Sequence, residues 1–353
     1  MNLLIHSNEL NRAMKLLGNV VEPRFPTHAN VEFHADGKGL TLRATNGTMF
    51  ASVLIPIIGL DEETFCVDGA MLKSVIASAG GEVRITTTER ACILKSAGQT
   101  RMPIVAMDMP KEETVSGASF RVNGELLARA IRKTQYAIST EQARAVLTGS
   151  LMETDGDTLK IVSLDGFQLA LETCDVSGEP MKMIVPGIAL RRVMENLCQE
   201  ETLTVTTDGV RVAFETETMR LSTVLLVGQF IDYEKLIQPS FEHSARVNVE
   251  EMLRVCRSSK VISSKNHLVK LHVREGGITL TSNSEQGSDF QADVVCDTRG
   301  GDLTIAFRDE YLMNALSAVD GEYAVMNLTS ATGPAVIEAD GEGKHLLLPV
   351  RVS

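Results

Sequence analysis

Tryptophan is absent from the 353 residues, and aromatic residues together make up 4%. A surface that grips single-stranded nucleic acid by stacking successive bases needs aromatic platforms, and this composition argues against one. No apolar run approaches the roughly 18 residues of a membrane span. The opening MNLLIHSNEL lacks the charged start and long apolar stretch of a signal peptide. The expected compartment is the cytoplasm, with no membrane partner. None of the six cysteines (Cys66, Cys92, Cys174, Cys198, Cys256 and Cys296) forms a CxxC pair, so zinc and disulfide readings are weak and buried thiols are expected. The phosphate loop GxxxxGK[ST], the GxSxG elbow and HExxH are all missing. His267 and His272 lie five apart in a stretch that alternates like a strand, which is poor support for a metal site. The Asp-Gly pairs at Asp36, Asp155, Asp208, Asp320 and Asp340, and Asp165 before Gly166, read as turns rather than as paired catalytic carboxylates. No catalytic residue, metal or cofactor is expected.

What the sequence has is repetition. At 353 residues with 44% hydrophobic content, two or three domains with real cores are expected. LIHSNELNRAMKLL (from Leu4), FRVNGELLARAIRKT (from Phe120) and ARVNVEEMLRVCRSS (from Ala245) each read as a short strand, a polar start and an amphipathic helix, with Asn123 and Asn248 as candidate N-caps. Ala13, Ala130 and Val255 then correspond, 117 and 125 residues apart, and three such units fill the chain. A hairpin follows each first helix (VEFHADGKGLTLRATN, SLMETDGDTLKIVSLDG, KLHVREGGITLTSNSEQ), built on an Asp-Gly or Gly-Gly turn. Then come VDGAMLKSVIASAG, IVPGIALRRVMENL and AFRDEYLMNALSAV, each a strand and second helix, and two or three closing strands. Each unit reads β-α-β-β-β-β-α-β-β-β. The fold class is α+β, with two helices per unit packed on antiparallel sheets. Polar, proline-bearing linkers, MPKEETVSGAS and QPSFEHS, separate units at 1–115, 118–239 and 244–353.

The net charge is −12, yet local distribution decides what a surface binds. Arg12 and Lys15 align with Arg129 and Arg132, and with Arg254 and Arg257, so all three first helices present two cations three positions apart on one face. Second helices add Lys73, Arg191 and Arg192. One such helix is an ordinary solvated face. Threefold recurrence in an acidic chain points to a polyanion whose phosphates are neutralised without reading sequence, and the scarcity of aromatics favours a duplex.

The chain ends in LLLPVRVS, an apolar run where a frayed polar tail is usual. Together with SLDGFQLA (Ser163–Ala170), IVPGIALRRVM (Ile184–Met194) and VGQFIDYEKLI (Val227–Ile237), this terminal strand resembles, in order and over the whole chain, the bacterial DNA polymerase III beta subunit, the sliding clamps. The resemblance implies three clamp-type domains per protomer and a head-to-tail homodimer closing a ring around double-stranded DNA. It implies no chemistry of its own. Its implied partners are the DNA polymerase III catalytic subunit, other polymerases and a clamp loader. Inner-surface DNA contacts would fall on Arg12, Lys15, Arg24, Lys73, Arg129, Arg132, Arg191, Arg254 and Arg257. A groove for partner peptides would comprise Leu147, Leu164, Gly166, Phe167, Gln168, Leu169, Ile231, Lys235, Leu236, Arg308, Tyr311, Thr332, Pro334, Leu346, Leu347, Leu348, Pro349, Val350 and Arg351. Met102 and Ile104 of one protomer would meet Val261 and Ile262 of the other. The family's His-Arg after Asp-Gly is Phe167-Gln168 here, and its proline before Asp-Tyr is Ile231, so the groove is more apolar by one cation. Ala70, Glu141, Ala145 and Val146 also depart from family DNA-contact positions. A divergent second-copy clamp for a repair, plasmid or specialised polymerase, or a protein scaffold without DNA, remain as alternatives.

Overall fold

The computed structural model describes residues 1–22, 24–106, 109–237, 240–262, 267–284, 287–339 and 343–351. Gln238, Asp340, Val352 and Ser353, expected in a linker, a turn and the terminal strand, lie outside the described residues. Six α-helices occur among the described residues: α1 (Ser7–Leu17), α2 (Gly69–Ser78), α3 (Gly124–Thr134), α4 (Gly187–Arg192), α5 (Val249–Ile262) and α6 (Asp309–Ala318). None of them is long and apolar enough to cross a membrane.

Local chemistry sets each repeat. In α1 the apolar Leu10, Ala13, Met14 and Leu17 recur at helical spacing, and all are buried. The strand before it, Asn2–His6, alternates exposed and buried residues. The Asn123 side chain accepts from the Leu126 N–H at 3.2 Å, and that of Asn248 from Glu251 N–H at 3.0 Å, so both predicted caps close their helices. Asp68 does the same for α2 through Met71 N–H at 2.6 Å. The carboxylates of Asp36, Asp155, Asp165 and Asp208 each accept two backbone N–H groups two and three residues on, the side-chain-closed turn that ties a hairpin. All six cysteines are buried. Burial pushes the thiols of Cys92, Cys174 and Cys256 up to about 12, which keeps them protonated.

The chain folds into two compact units, and the cut runs through the middle repeat. In the first unit, Asn2–His6, Glu82–Thr88, Ala91–Lys95 and Gln99–Pro103 form a four-stranded antiparallel sheet. A second sheet in this unit runs from Glu63–Asp68 through Asn30–Asp36, Gly39–Thr45 and Met49–Pro56. It crosses into the middle repeat where Met49 pairs with Thr223 and Val53 with Met219. It continues through Arg211–Glu215 and Thr202–Thr207 to Ala118–Asn123. The first linker is strapped onto this sheet. Glu112 accepts from Arg220 at 2.8 Å and from Ser222 at 2.6 Å, and Met109 and Val115 are buried.

The second unit repeats the arrangement. Gly149–Thr154, Thr158–Leu164 and the first part of Gln168–Gly178 lead to Lys344–Leu347, with Leu169 opposite Leu346. Ala335–Glu338, Tyr323–Leu328 and His243–Asn248 follow. Leu268–Arg274, Gly277–Asn283, Asp289–Val295 and Leu303–Arg308 make its separate four-stranded sheet. In both units, then, the fourth strand of one repeat pairs with the last strand of the next. The unit boundary cuts the middle repeat because that repeat gives one sheet to each side.

Candidate nucleic-acid interface and partner groove

The helix cations divide into two kinds. Arg12 is paired with Glu200, which follows the middle repeat's second helix. Arg129 is paired with Asp320, which follows α6, and Lys133 reaches the same carboxylate at 2.7 Å. Burial pushes the Asp320 carboxyl up, but the hydrogen bonds and charges of Lys133 and Arg129 outweigh it and hold the group below the usual carboxylate range. These arginines therefore sit over a neutralising carboxylate. One turn on, Lys15, Arg132 and Arg257 are exposed and in no ion pair among the described residues. Lys73 and Arg191 are exposed and unpaired in the same sense. Arg24 is 86% exposed with Glu22 at 3.4 Å. Arg254 is 73% exposed and leans on Glu251 of its own helix at 3.7 Å. Arg192, also noted in the sequence, bonds Glu195 at 3.0 Å and is half-buried.

Behind α3 lies a polar network that the sequence did not advertise. The Lys133 ammonium is buried, 3.6 Å from Glu172 in the strand Gln168–Gly178. His345 Nε2 lies 3.4 Å from the same Glu172 oxygen, and His345 Nδ1 is 3.1 Å from the Tyr136 hydroxyl. Burial, then the neighbouring Glu172 and Asp165 charges, raise the Tyr136 hydroxyl so that it stays protonated. A charged residue at an apolar helix position (Lys133) and another inside a strand (Glu172) were the available signals.

The proposed groove residues fall into a floor, a rim and a remainder. Leu147, Leu164, Leu169 and Leu346 belong to one buried apolar cluster, with Leu151, Val162, Phe230, Tyr233 and Val336. Around it Phe167 is 58% exposed, and Ile231, Leu236 and Leu348 are each exposed by more than 40%. Phe167 stacks on Tyr311 at 6.3 Å between ring centres, and Arg308 lies over the Tyr311 ring at 5.7 Å. Gly166 has a φ of 100°, which favours glycine, and the turn there leaves the Phe167 side chain outside. Gln168 is buried, and its amide donates to the Tyr136 carbonyl at 3.3 Å and to Asp165 at 3.0 Å. Lys235 is exposed and pairs with Asp232 at 2.5 Å. Thr332 and Arg351 are exposed, and Pro334, Pro349 and Val350 are half-buried. Leu347 points the other way. Strand alternation puts it, fully buried, in the third repeat's own core. Phe230, Tyr233 and Val336 belong to the same cluster and Val146 packs against it; none of the four was named for the groove, although Phe230 and Tyr233 lie within the quoted VGQFIDYEKLI.

The terminal run is thus no loose tail. After the strand Lys344–Leu347, Leu348 N–H donates to the Phe167 carbonyl at 2.9 Å and Val350 N–H to the Ala306 carbonyl at 2.8 Å. The Met102 side chain is not part of the exposed surface of its strand. It is 1% exposed, turned toward the first unit's core, while Gln99, Arg101 and Pro103 of the same strand are exposed. Ile104 is half-buried and Val261 is 83% exposed. Ile262 is half-buried.

Models of the DNA polymerase III beta subunit match two stretches, the central domain at residues 121–232 and the C-terminal domain at 235–351, together more than half of the chain. The chain belongs to the DNA polymerase III beta subunit family. The beta sliding clamp of Chlamydia muridarum is 24% identical over 371 residues, covering 100% of this chain and 99% of the relative. That of Pseudomonas aeruginosa is 25% identical, covering 100% of each. Among solved structures, the DNA polymerase III beta subunit of Thermotoga maritima superposes with a TM-score of 0.92 at 21% identity, covering 100% of each chain. The three-repeat α+β architecture read from the sequence is the fold of this beta subunit family.

Proposed function

We propose that this chain is a DNA sliding clamp, a non-catalytic processivity factor that closes around duplex DNA as a head-to-tail homodimer and tethers polymerases through the groove. One observation carries the reading. Within the chain, the fourth strand of each repeat pairs with the last strand of the next, at Met49–Pro56 with Met219–Val224 and at Gln168–Gly178 with Lys344–Leu347. The rule leaves two strands unmatched: Asp289–Val295, the fourth strand of the third repeat, and Gln99–Pro103, the last strand of the first. Among the described residues each pairs on one side only, and an open edge is a template for another chain. Joining one copy's Asp289–Val295 to the other's Gln99–Pro103 continues the internal rule, and it uses one kind of joint twice. Arg101 on one edge and Asp289 and Asp293 on the other bring opposite charges. Val261 and Ile262, at the end of α5, flank the same joint. Edge backbone rather than the Met102 side chain would supply its pairing.

In this arrangement the first helices face the enclosed duplex. Lys15, Arg132, Arg257, Lys73 and Arg191 meet phosphates individually and weakly, which permits sliding. Retention comes from linkage, not affinity. Opening the ring and coupling it to ATP falls to a loader. The groove takes short apolar peptide segments of polymerases and of the loader, with Phe167, Ile231, Leu236 and Leu348 as contact surface and Arg308, Lys235 and Arg351 as polar anchors. Light scattering across a dilution series tests the closure: a mass of twice 38.3 kDa supports it, and a chain monomeric at every concentration rejects it.

A further inference from the structure

We infer that the joint between two copies is built as the weak joint of the ring, because it lacks an ion-pair clasp that both internal joints possess. This rests on the head-to-tail reading above. Equivalent positions are fixed by one backbone hydrogen bond that recurs in every repeat. Ser7 N–H donates to the Gly81 carbonyl at 2.8 Å, Gly124 N–H to Glu201 at 3.0 Å and Val249 N–H to Glu322 at 2.9 Å. Counting from these anchors, Arg12, Arg129 and Arg254 are equivalent on the first helices. On the connectors after the second helices, Gly80, Glu200 and Gly321 are equivalent, as are Ala79, Gln199 and Asp320.

The two internal joints then share a device. Arg12 of the first repeat is clasped by Glu200 of the second, and Arg129 of the second by Asp320 of the third. Each clasp spans the same pair of repeats as a strand joint and runs in the same direction along the chain. At the third joint the arginine is present: Arg254 is 73% exposed, and among the described residues its ion pair is with Glu251 of its own helix. The carboxylate is not. The corresponding connector of the first repeat offers Ala79 and Gly80, and neither can accept from a guanidinium through its side chain. The missing partner is a second copy's acid at this connector.

Gly80 makes the idea testable. A Cβ built there meets nothing within 4 Å, its backbone is outside the left-handed region, and its hydrogen bonds to Ser96 are made by the main chain. Gly80→Glu therefore installs the carboxylate at the position of Glu200 without disturbing the fold. The experiment is subunit exchange between two fluorescently labelled populations of full-length protein, for wild type, Gly80→Glu, Arg254→Ala and the double variant. An exposed guanidinium–carboxylate pair corresponds to about a two- to five-fold change in an equilibrium or dissociation rate. Gly80→Glu should slow exchange by about that factor at low salt, lose the effect at high salt, and lose it when Arg254 is Ala. Exchange that is unchanged, or slowed equally without Arg254, overturns the inference while leaving the dimer intact. A wild-type chain that is monomeric throughout overturns the head-to-tail reading itself, and the inference with it.

Discussion

Replacing Lys133 with methionine should be among the most damaging changes in the second unit. Its side chain is 8% exposed, with the ammonium 3.6 Å from the similarly buried Glu172 and 2.7 Å from Asp320. At 3.6 Å and an effective dielectric constant near 20, the Lys133–Glu172 attraction is about 4–5 kcal/mol before desolvation. Methionine fills the space and removes the charge, which strands Glu172 in the interior with His345 as its remaining neighbour of opposite potential. Breaking a buried pair from one side costs about 3–5 kcal/mol. One Glu172 oxygen already lacks a hydrogen-bond partner among the described residues, so little is available to compensate. Urea unfolding followed by far-ultraviolet circular dichroism, at fixed protein concentration, reads the loss. With both partners apolar, Lys133→Met plus Glu172→Met should recover most of it, because no charge is left stranded. A loss under about 1 kcal/mol for the single variant, small on the scale of buried pairs, or a double variant no better than the single, would show that the Lys133–Glu172 pair does not hold this region together.

Asp320 carries a pH signature. Its folded-state pKa is depressed by Lys133 and Arg129 against the opposing push of burial, so its contribution is complete above the ordinary aspartate value and is lost as pH falls through the depressed one. The stability gap between wild type and Asp320→Asn should therefore be flat near neutrality and shrink on acidification below about pH 4; a gap that widens instead contradicts the assignment. Phe167→Ala should leave the unfolding midpoint within about 0.5 kcal/mol, as expected of an exposed side chain, yet weaken a polymerase-derived apolar peptide by about tenfold in fluorescence anisotropy, the size of an aromatic anchor's loss. Equal binding would remove Phe167 from the groove. Charge reversal at Lys15, Arg132 and Arg257 should weaken duplex binding uniformly across sequences and flatten the salt dependence by about 0.9 in log–log slope for each phosphate no longer neutralised. An unchanged slope would move the DNA path elsewhere.

Most of the fold was legible because it is written three times. A single helix–hairpin–helix pattern is ambiguous, but the recurrence of Ala13, Ala130 and Val255 in the same setting fixes element order, and the Asp-Gly turns set hairpin positions through their own hydrogen bonds. The terminal strand and the strand opened by Gln168 were both singled out in the sequence, and Leu346 and Leu169 are register partners in one buried apolar cluster. What stayed hidden depends on which strand lies beside which. Nothing local tells Leu346 from Leu347, yet one faces the groove cluster and the other a separate core. Nor does the spacing of Met102 reveal that its apolar side is already occupied by its own unit. The stripe of cations was visible in helical spacing, whereas the carboxylates that pair with two of its six first-helix members come from the following repeat, 188 residues away for Arg12 and 191 for Arg129.

Retention on DNA of different topology separates a closed ring from an ordinary DNA-binding protein. Assembled on nicked circular duplex by an ATP-driven loader and freed of that loader by gel filtration, the protein should stay on the circle through moderate salt. It should then leave rapidly when one restriction cut linearises the DNA. Release at the same rate from circle and linear duplex would show that affinity rather than linkage holds it, and would contradict the clamp.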